Sequence, residues 1–217
     1  MSEISSPTAE EIIEAASDFE NVDEALFLKG LDSSNPLTVW WAIRACGLRR
    51  IENAIPKLLD LLGKPCLPLG KTDIRRIAAL SLSQFGFDKF SNQLGEVRKN
   101  TNELLREGIA DALGLTKDPR AASILSELLN DEDRNVVLWA SLALSKLGNV
   151  ALPHIEKHLD QTNDRTRALY LLDALKKIGT KESNGVLVRY FDTTAFDDFH
   201  DYQDEFVQPP AKHTHGN

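Results

Sequence analysis

Two histidines have the spacing that would most directly support chemistry. His154 and His158 lie four residues apart with Glu156 between them, and histidines at that spacing share one face of a helix, as metal ligands can. The positions 31 residues earlier hold Ser123 and Glu127, and both pairs are expected on an outer helix face. We therefore expect solvated histidines, no metal site and no cofactor.

The other residue types that carry catalysis do not form a recognisable constellation. Asp131 and Asp133 are paired carboxylates, but they lie at a turn, where an acid is expected to cap the following helix. The sequence has no glycine-rich phosphate loop, nucleophile elbow or CxxC pair. Cys46 occupies an apolar position, and Cys66 lies in a loop as a bystander thiol. We predict no catalytic residue.

A column of small residues recurs every 31 positions and organises most of the chain. Its members are Ser81, Ala112, Ala143 and Ala174, each followed by a leucine. A fixed period near 30 residues is typical of helical hairpins that stack on copies of themselves and bury a continuous core. The period therefore predicts an all-α fold, a right-handed α-solenoid of stacked helical hairpins.

Residues 118–149 form the clearest copy of this repeat. The copy runs from Asp118-Pro119-Arg120-Ala121 through leucines and an acidic turn to a second helix that closes at Gly148. This pattern resembles the HEAT family, specifically the short PBS-lyase type of HEAT-like repeat, over residues 23–181. The resemblance implies that the second helices of the hairpins line a concave surface.

The repeat period divides the chain into three parts. Residues 1–22 are expected to form an acidic N-terminal capping helix, and residues 182–217 an acidic, aromatic C-terminal cap and tail. Between them we expect five HEAT-like repeats, at residues 23–50, 51–86, 87–117, 118–149 and 150–181. An insertion at residues 63–71 should bulge as a loop.

Charge is distributed unevenly over these parts. The formal net charge is −8, yet residues 1–24 alone hold eight acids and no base, and residues 182–217 sum to −5. Residues 25–181 carry 23 bases and 18 acids, or +5. Interspersed acids and acidic ends disfavour nucleic acid, whose binding requires many phosphate contacts.

The hydropathy pattern bears on location. No apolar run approaches the roughly 20 residues that span a bilayer, and acids replace the basic start of a signal peptide. We expect a cytoplasmic protein that does not contact a membrane.

The concave side of the second helices should be polar, but several of its positions are apolar. Equivalent positions of the second helices are 31 residues apart from the second repeat to the fifth, and 36 residues apart between the first and the second. The predicted apolar contacts are Trp40, Ile43, Leu80, Leu138, Leu142, Leu169 and Leu172, and the predicted charged contacts are Arg44, Arg75, Arg76 and Arg106. A helix that is apolar nearly all round is usually buried on both sides. We therefore expect a partner to bind the concave side of the second helices.

The C-terminal segment offers a possible cover for this surface. Phe196, Phe199, Tyr202 and Phe206 are interleaved with acids. An acidic, aromatic strip beside a mildly basic groove suggests docking within the chain or on a partner molecule. The alternative is a solvated capping helix followed by a plain tail.

These patterns favour a non-catalytic protein-interaction module that acts as an adaptor, assembly factor or inhibitor. Deoxyhypusine hydroxylase has similar repeats, but its iron-binding His-Glu dipeptides are absent here. Two alternatives follow from the resemblance alone. One is a phycobilin lyase subunit or chaperone-like factor that attaches a bilin to a phycobiliprotein, where Trp40 could contact the planar tetrapyrrole. The other is an alkylpurine DNA glycosylase that uses the groove arginines.

Overall fold

The helices account for most of the described chain. The structure, a computed structural model, describes residues 6–18, 23–65, 68–69, 72–91 and 102–193. The α-helices are α1 (Ala9–Ser17), α2 (Glu24–Gly30), α3 (Pro36–Leu48), α4 (Ile55–Leu62), α5 (Ile74–Gln84), α6 (Phe87–Ser91), α7 (Glu103–Thr116), α8 (Ala121–Leu128), α9 (Arg134–Leu147), α10 (Leu152–Gln161), α11 (Arg165–Ile178) and α12 (Lys181–Thr193). Short 3₁₀ turns at Glu52–Ala54 and Gly148–Ala151 precede α4 and α10.

Consecutive helices pair as hairpins, and the hairpins stack in chain order. Helix α2 packs on α3, α4 on α5, α8 on α9, and α10 on α11. The inner helices α3, α5, α7, α9 and α11 each contact the next one in that order. Helix α1 covers the start of the stack on α3, and α12 packs on α10 and α11 at its other end. The fold is an all-α solenoid, as the 31-residue period predicts.

The insertion between α4 and α5 contains a small antiparallel pair of strands, β1 (Pro68–Leu69) and β2 (Thr72–Asp73). Pro68 pairs with Asp73, and Leu69 pairs with Thr72. The sequence predicts a loop here, and the strands leave the helical stack uninterrupted.

A polar side chain caps the start of every inner helix. The caps are Asn35, Asp73, Asn102, Asp133 and Asp164, and each accepts a hydrogen bond from a backbone N–H of the first turn. Such a cap satisfies donors that have no partner within the helix. The prediction that Asp133 caps a helix is therefore confirmed.

Two small residues of the 31-residue column, Ser81 and Ala143, lie where neighbouring inner helices approach closely. Ser81, Ala112, Ala143 and Ala174 are all buried. A Cβ atom built on Gly114 of α7 would lie 2.7 Å from both Cα and Cβ of Ala143 on α9. A Cβ atom built on Gly47 of α3 would likewise lie 2.7 Å from Cβ of Ser81 on α5. The period therefore records a steric requirement of helix packing.

The buried thiol agrees with its sequence position. Cys46 is fully buried in the core, and burial raises the pKa of its thiol to about 12. A thiol held in its neutral form is a poor nucleophile. The prediction that Cys46 occupies an apolar position is confirmed. Cys66 lies outside the described residues.

The stretch Arg134–Gln161 is longer and more apolar than the sequence analysis expects, since no run of membrane-spanning length is predicted there. It is 28 residues long with a window of mean hydropathy 1.4, so by length and composition alone it could cross a membrane. It consists of α9 and α10 joined by a 3₁₀ turn at Gly148, where φ is +70°. Because α9 packs between α7 and α11, the stacking of the solenoid accounts for its apolar side chains.

Gly114→Ala should destabilise the protein by about 1–3 kcal/mol, because the added methyl group meets backbone atoms that have no room to move. The matched control is Gly185→Ala on α12, where the nearest atom to the new Cβ would be Nη1 of Arg189 at 3.7 Å. That change should instead stabilise by about 0.5–1 kcal/mol, through helix propensity. Urea unfolding measures both, and equal effects would contradict close packing at Gly114.

Candidate functional site

The predicted contact residues divide into surface and core positions. Partly exposed side chains are those of Trp40, Arg44, Arg75, Leu80, Leu138, Leu142 and Leu169, and Arg76 is exposed. Ile43, Leu172 and Arg106 are buried. The inner helices therefore present part of the predicted set to solvent, and the rest has another role.

Ile43 and Leu172 belong to the core, which corrects their assignment as partner contacts. Each is 0% exposed. The hydroxyl of Ser81 on α5 donates a hydrogen bond of 2.9 Å to the carbonyl oxygen of Ile43 on α3, so this side of α3 faces the next inner helix. The equivalent residues Ala79, Ala110 and Ser141 are buried as well. This column of positions packs between inner helices and does not line the groove.

Arg106 forms an ion pair that holds the turn after α8. Its Nε and Nη2 atoms donate to the two carboxylate oxygens of Asp131 at 2.7 and 3.0 Å, and its side chain is 8% exposed. This bidentate geometry is the strongest arrangement between a guanidinium and a carboxylate. The hydrogen bonds that Arg106 donates to Asp131, together with the negative charges of Asp131 and the neighbouring acids, raise the pKa of Arg106 above its ordinary value. Its assignment as a charged partner contact is therefore wrong.

Arg75 has a similar structural role one hairpin earlier. Its Nε donates to the carbonyl oxygen of Leu62 at 2.9 Å, and its Nη2 donates to the carbonyl of Leu104 and to Glu107 at 2.7 and 3.0 Å. Leu62 is the last residue of α4, and Leu104 lies in the first turn of α7. Arg75 thereby joins two hairpins, and its charge is compensated by the largely buried Glu107.

Sequence reasoning missed a third arginine of this kind. Arg167 on α11 donates to the carbonyl oxygens of Leu129 and Asp131 at 2.9 and 2.7 Å. The turn at Asp131 is thus bound by Arg106 from one side and by Arg167 from the other. At the 31-residue period the positions equivalent to Arg75 and Arg106 on α11 and α9 are Ala168 and Val137. Arg167 lies one position before Ala168, and this displaced arginine was the signal that the sequence offered.

Apolar side chains remain on the concave side of the second helices. Leu138 and Leu142 lie one turn apart on α9, are partly exposed, and are outside the hydrophobic core cluster of the described residues. Leu80 on α5 has the same status. Leu169 on α11 and Trp40 on α3 are partly exposed and pack against the core. We call these five residues the groove leucine set, with Trp40 as its aromatic member.

Two exposed leucines on α3 were also missed. Leu37 is 48% exposed and Leu48 is 61% exposed. They lie at helical spacing with Arg44 between them, on the same helix as Trp40. Their spacing of seven and four residues from Arg44 was the sequence signal for a continuation of the apolar stripe.

A charged cluster joins three successive inner helices, α5, α7 and α9. Asp111 on α7 is only 4% exposed, and its carboxylate accepts bonds from Arg76 at 3.0 Å and from Lys146 at 2.6 Å. One carboxylate therefore serves two cations. Arg44 lies over the ring of Trp40, with its guanidinium carbon 5.5 Å from the ring centroid, and its buried Nε makes no hydrogen bond within the described residues.

One histidine of the pair, His158, lies beside a cavity of about 280 Å³ at the turn between α10 and α11. His158 lines this cavity, and its Nε2 atom lies 3.1 Å from the hydroxyl of Ser126 on α8. Among the described residues, no group of three or more His, Cys, Asp or Glu side chains could hold a metal ion. His158 thus has a hydrogen-bond partner, Ser126, where the sequence predicts a solvated side chain.

Arg106→Ala should destabilise the protein by about 3 kcal/mol, because it leaves the Asp131 carboxylate without its charged partner in a nearly buried site. Arg120→Ala is the matched control, since Arg120 also pairs with aspartates, Asp118 and Asp88, but is solvent-exposed. The control should change unfolding stability little. A small effect of Arg106→Ala in urea unfolding would contradict its role in holding the turn.

His158 should make the protein less stable as the pH falls below the ordinary histidine pKa of 6.5. Burial, and then the charges of Lys157 and His154, lower the pKa of His158. The unfolded chain therefore binds the proton more readily than the folded chain, and stability present above pH 6.5 is lost toward the lower folded-state pKa. Urea unfolding at several pH values should show that His158→Gln flattens this dependence. His154→Gln, the control on the same helix, should leave most of it, and an unchanged slope in His158→Gln would contradict the assignment.

Comparison with known families agrees with this architecture. Residues 91–176 match the family described as HEAT repeats, a span from the end of α6 to the last turn of α11. No curated protein matches the chain. The stacked hairpins agree with this match: residues 91–176 are similar to HEAT repeats, and the described helices form an all-α solenoid.

Proposed function

We propose that this chain is a non-catalytic protein-interaction module that binds a protein partner through the groove leucine set. HEAT repeats are generally scaffolds for protein interactions. An adaptor, an assembly factor and an inhibitor would all use such a surface. Five repeats of the short PBS-lyase type and a cytoplasmic location form part of this proposal.

The observation that carries the proposal is the position of Leu138 and Leu142. Both lie on α9, at the centre of the stretch matched to HEAT repeats, and both are partly exposed outside the core cluster of the described chain. Full burial of a leucine contributes about 1.5–3 kcal/mol relative to exposure. Two such side chains one turn apart, with Leu80 and Leu169 on neighbouring inner helices, form the kind of anchor site where binding energy concentrates.

The charges in the groove favour a protein partner over nucleic acid. Arg75 and Arg106 pair with Glu107 and Asp131, and Arg76 pairs with Asp111. A phosphate backbone requires cations that are available to neutralise it. Because three of the four predicted arginines already have carboxylate partners, the surface suits apolar contacts bordered by charge, and the glycosylase alternative has little support.

The double variant Leu138→Asp and Leu142→Asp should abolish capture of the native partner and leave a folded chain. The two carboxylates would have to be desolvated in the interface, which removes well over 90% of binding at a cost of several kcal/mol. Affinity purification from the native cell with quantitative mass spectrometry measures the loss, and circular dichroism checks the fold.

The matched control is Val150→Asp with Val188→Asp. These valines are 44% and 43% exposed and lie outside the groove leucine set, so the control adds the same charge and should retain the partner. Equal capture by both double variants would contradict the proposal. If the groove variant unfolds, Leu138 and Leu142 are core residues and the groove hypothesis is wrong.

A further inference from the structure

One side of α3 carries four large side chains that stay open to solvent. Leu37, Trp40, Arg44 and Leu48 recur at intervals of three or four residues, and we call them the α3 stripe. Successive residues of a helix are about 100° apart, so these four side chains fall within an arc of about 80°. The two leucines are 48% and 61% exposed, and the other two residues are partly exposed.

The other sides of α3 are packed. Helices α1, α2 and α5 all contact α3. The buried residues of α3 all lie outside the arc of the stripe, and they are Thr38, Val39, Ala42, Ile43, Ala45, Cys46 and Gly47. The α3 stripe is therefore the side of this helix that the described part of the solenoid leaves uncovered.

Arg44 carries an unpaired charge within this stripe. Its guanidinium carbon lies 5.5 Å from the centroid of the Trp40 ring, and Trp41 packs edge to face on that ring with 4.7 Å between the centroids. Arg44 makes no hydrogen bond or ion pair with the described residues, and its Nε is buried without an acceptor. The three other predicted groove arginines all pair with carboxylates. The aromatic contact thus holds a cation in place before any ligand binds.

A cation between exposed apolar side chains suits a carboxylate that is itself flanked by apolar side chains. Arginine binds a carboxylate through two parallel hydrogen bonds, and apolar contacts around the pair exclude water and strengthen the attraction. A helix presents side chains on one face at every third or fourth residue, which is the spacing of the α3 stripe. One partner helix can therefore meet all four side chains.

We propose that the α3 stripe binds a helix of another protein in which an aspartate or glutamate lies between large apolar residues, with the carboxylate on Arg44. This inference rests on the proposed function, because Trp40 belongs to the groove leucine set. Arg44 also occupies the position on α3 that Leu80 and Leu142 occupy on α5 and α9. The inference adds the chemistry of the partner to the proposed function.

The first test uses a designed fluorescent peptide. It consists of alanine and glutamine, with leucine at the third, sixth and fourteenth positions and glutamate at the tenth, which repeats the spacing of the α3 stripe. The reversed sequence is tested as well, because a helix can lie on α3 in either direction. In one direction, the full-length chain should bind the glutamate peptide about tenfold more tightly than the same peptide with lysine at that position, because only the carboxylate is attracted to Arg44.

Charge reversal identifies the residue that reads the peptide. Arg44→Glu should reverse the preference, and Arg44→Gln should abolish it. The matched control is Arg120→Glu, since Arg120 also lies over an aromatic ring, 4.7 Å from that of Phe87, but already pairs with Asp88 and Asp118. This control changes the net charge equally and should keep the preference for glutamate. Circular dichroism checks each fold, and Arg44→Gln decides the question if Arg44→Glu unfolds.

The apolar part of the stripe is tested separately. Leu37→Ser with Leu48→Ser should weaken the binding of the glutamate peptide about tenfold or more, because two leucine contacts are lost. Val150→Ser with Val188→Ser is the matched control, since these valines are 44% and 43% exposed and lie outside the stripe. Equal effects of the two double variants overturn the inference.

Three further results overturn the inference. They are an absence of peptide binding, equal affinity for the glutamate and lysine peptides, and a preference that Arg44→Glu leaves unchanged. The aromatic cover that the sequence suggests, Phe196, Phe199, Tyr202 and Phe206, lies outside the described residues. If the peptide binds only after these four residues are changed to Ser, the chain's own segment occupies the stripe, and the inference of a separate protein is wrong.

Two other occupants are distinguished by direct measurement. A concentration-dependent dimer in light scattering that Arg44→Glu dissociates means that a second copy of the chain occupies the stripe. Sedimentation with vesicles of phosphatidylcholine and phosphatidylserine that is lost in Arg44→Glu means that the stripe binds an anionic membrane surface. Either result overturns the inference, and a monomer that does not sediment with the vesicles supports it.

The two proposals fail separately, because the peptide tests concern α3 and the capture test concerns α9. If Leu138→Asp with Leu142→Asp abolishes partner capture but the glutamate and lysine peptides bind equally, only the inference about the α3 stripe is wrong. If the chain shows the predicted charge preference but that groove variant keeps the partner, the proposed function is wrong and the inference stands.

Discussion

The close approach of neighbouring inner helices is the constraint on which the rest of the solenoid depends. Gly47 lies against Ser81, and Gly114 lies against Ala143, with no space for an additional methyl group between the helices. At this separation a larger side chain would push two backbones apart, and every later hairpin would be displaced with them. Small residues at a fixed period therefore define the stacking register of the inner helices.

Polar groups hold the turns once the helices are stacked. A side-chain cap starts each inner helix, and Arg75, Arg106 and Arg167 bind carbonyl or carboxylate groups of neighbouring turns. Buried backbone groups without partners would cost free energy. Arg75 and Arg167 bond to the carbonyl groups of Leu62 and Leu129, which the C-terminal ends of α4 and α8 leave without a helical donor. The three arginines are therefore engaged within the fold.

The surface that remains is defined by what the core and the turns do not use. Leu80, Leu138 and Leu142 are partly exposed although the helices that carry them are well packed on their other sides. The cluster of Arg76, Asp111 and Lys146 borders them. An apolar centre with a charged border is the usual composition of a protein interface, which is why this groove suits a helical or extended protein segment.

The sequence by itself determined the helices, their register and the core column. Each of these depends on local chemistry: Asp133 caps a helix through its own side chain, and Ala143 recurs at a fixed period because every copy of the repeat meets the same neighbour. Residues of this kind can be predicted because one repeat contains all the information about their surroundings.

The tertiary structure decided which sides of the inner helices face solvent. Periodicity showed that Ile43, Leu142 and Leu172 lie away from the main apolar stripe, but each inner helix has neighbours on both sides as well as its own outer helix. Ile43 and Leu172 consequently lie in the core, while Leu142 stays partly exposed. The availability of an arginine to a partner likewise depends on its contacts within the fold, and Arg106 meets Asp131 only when two hairpins stack. Contacts between residues distant in sequence decide which side chains are buried and which arginines are paired. The pattern within a single helix gives no information about those contacts.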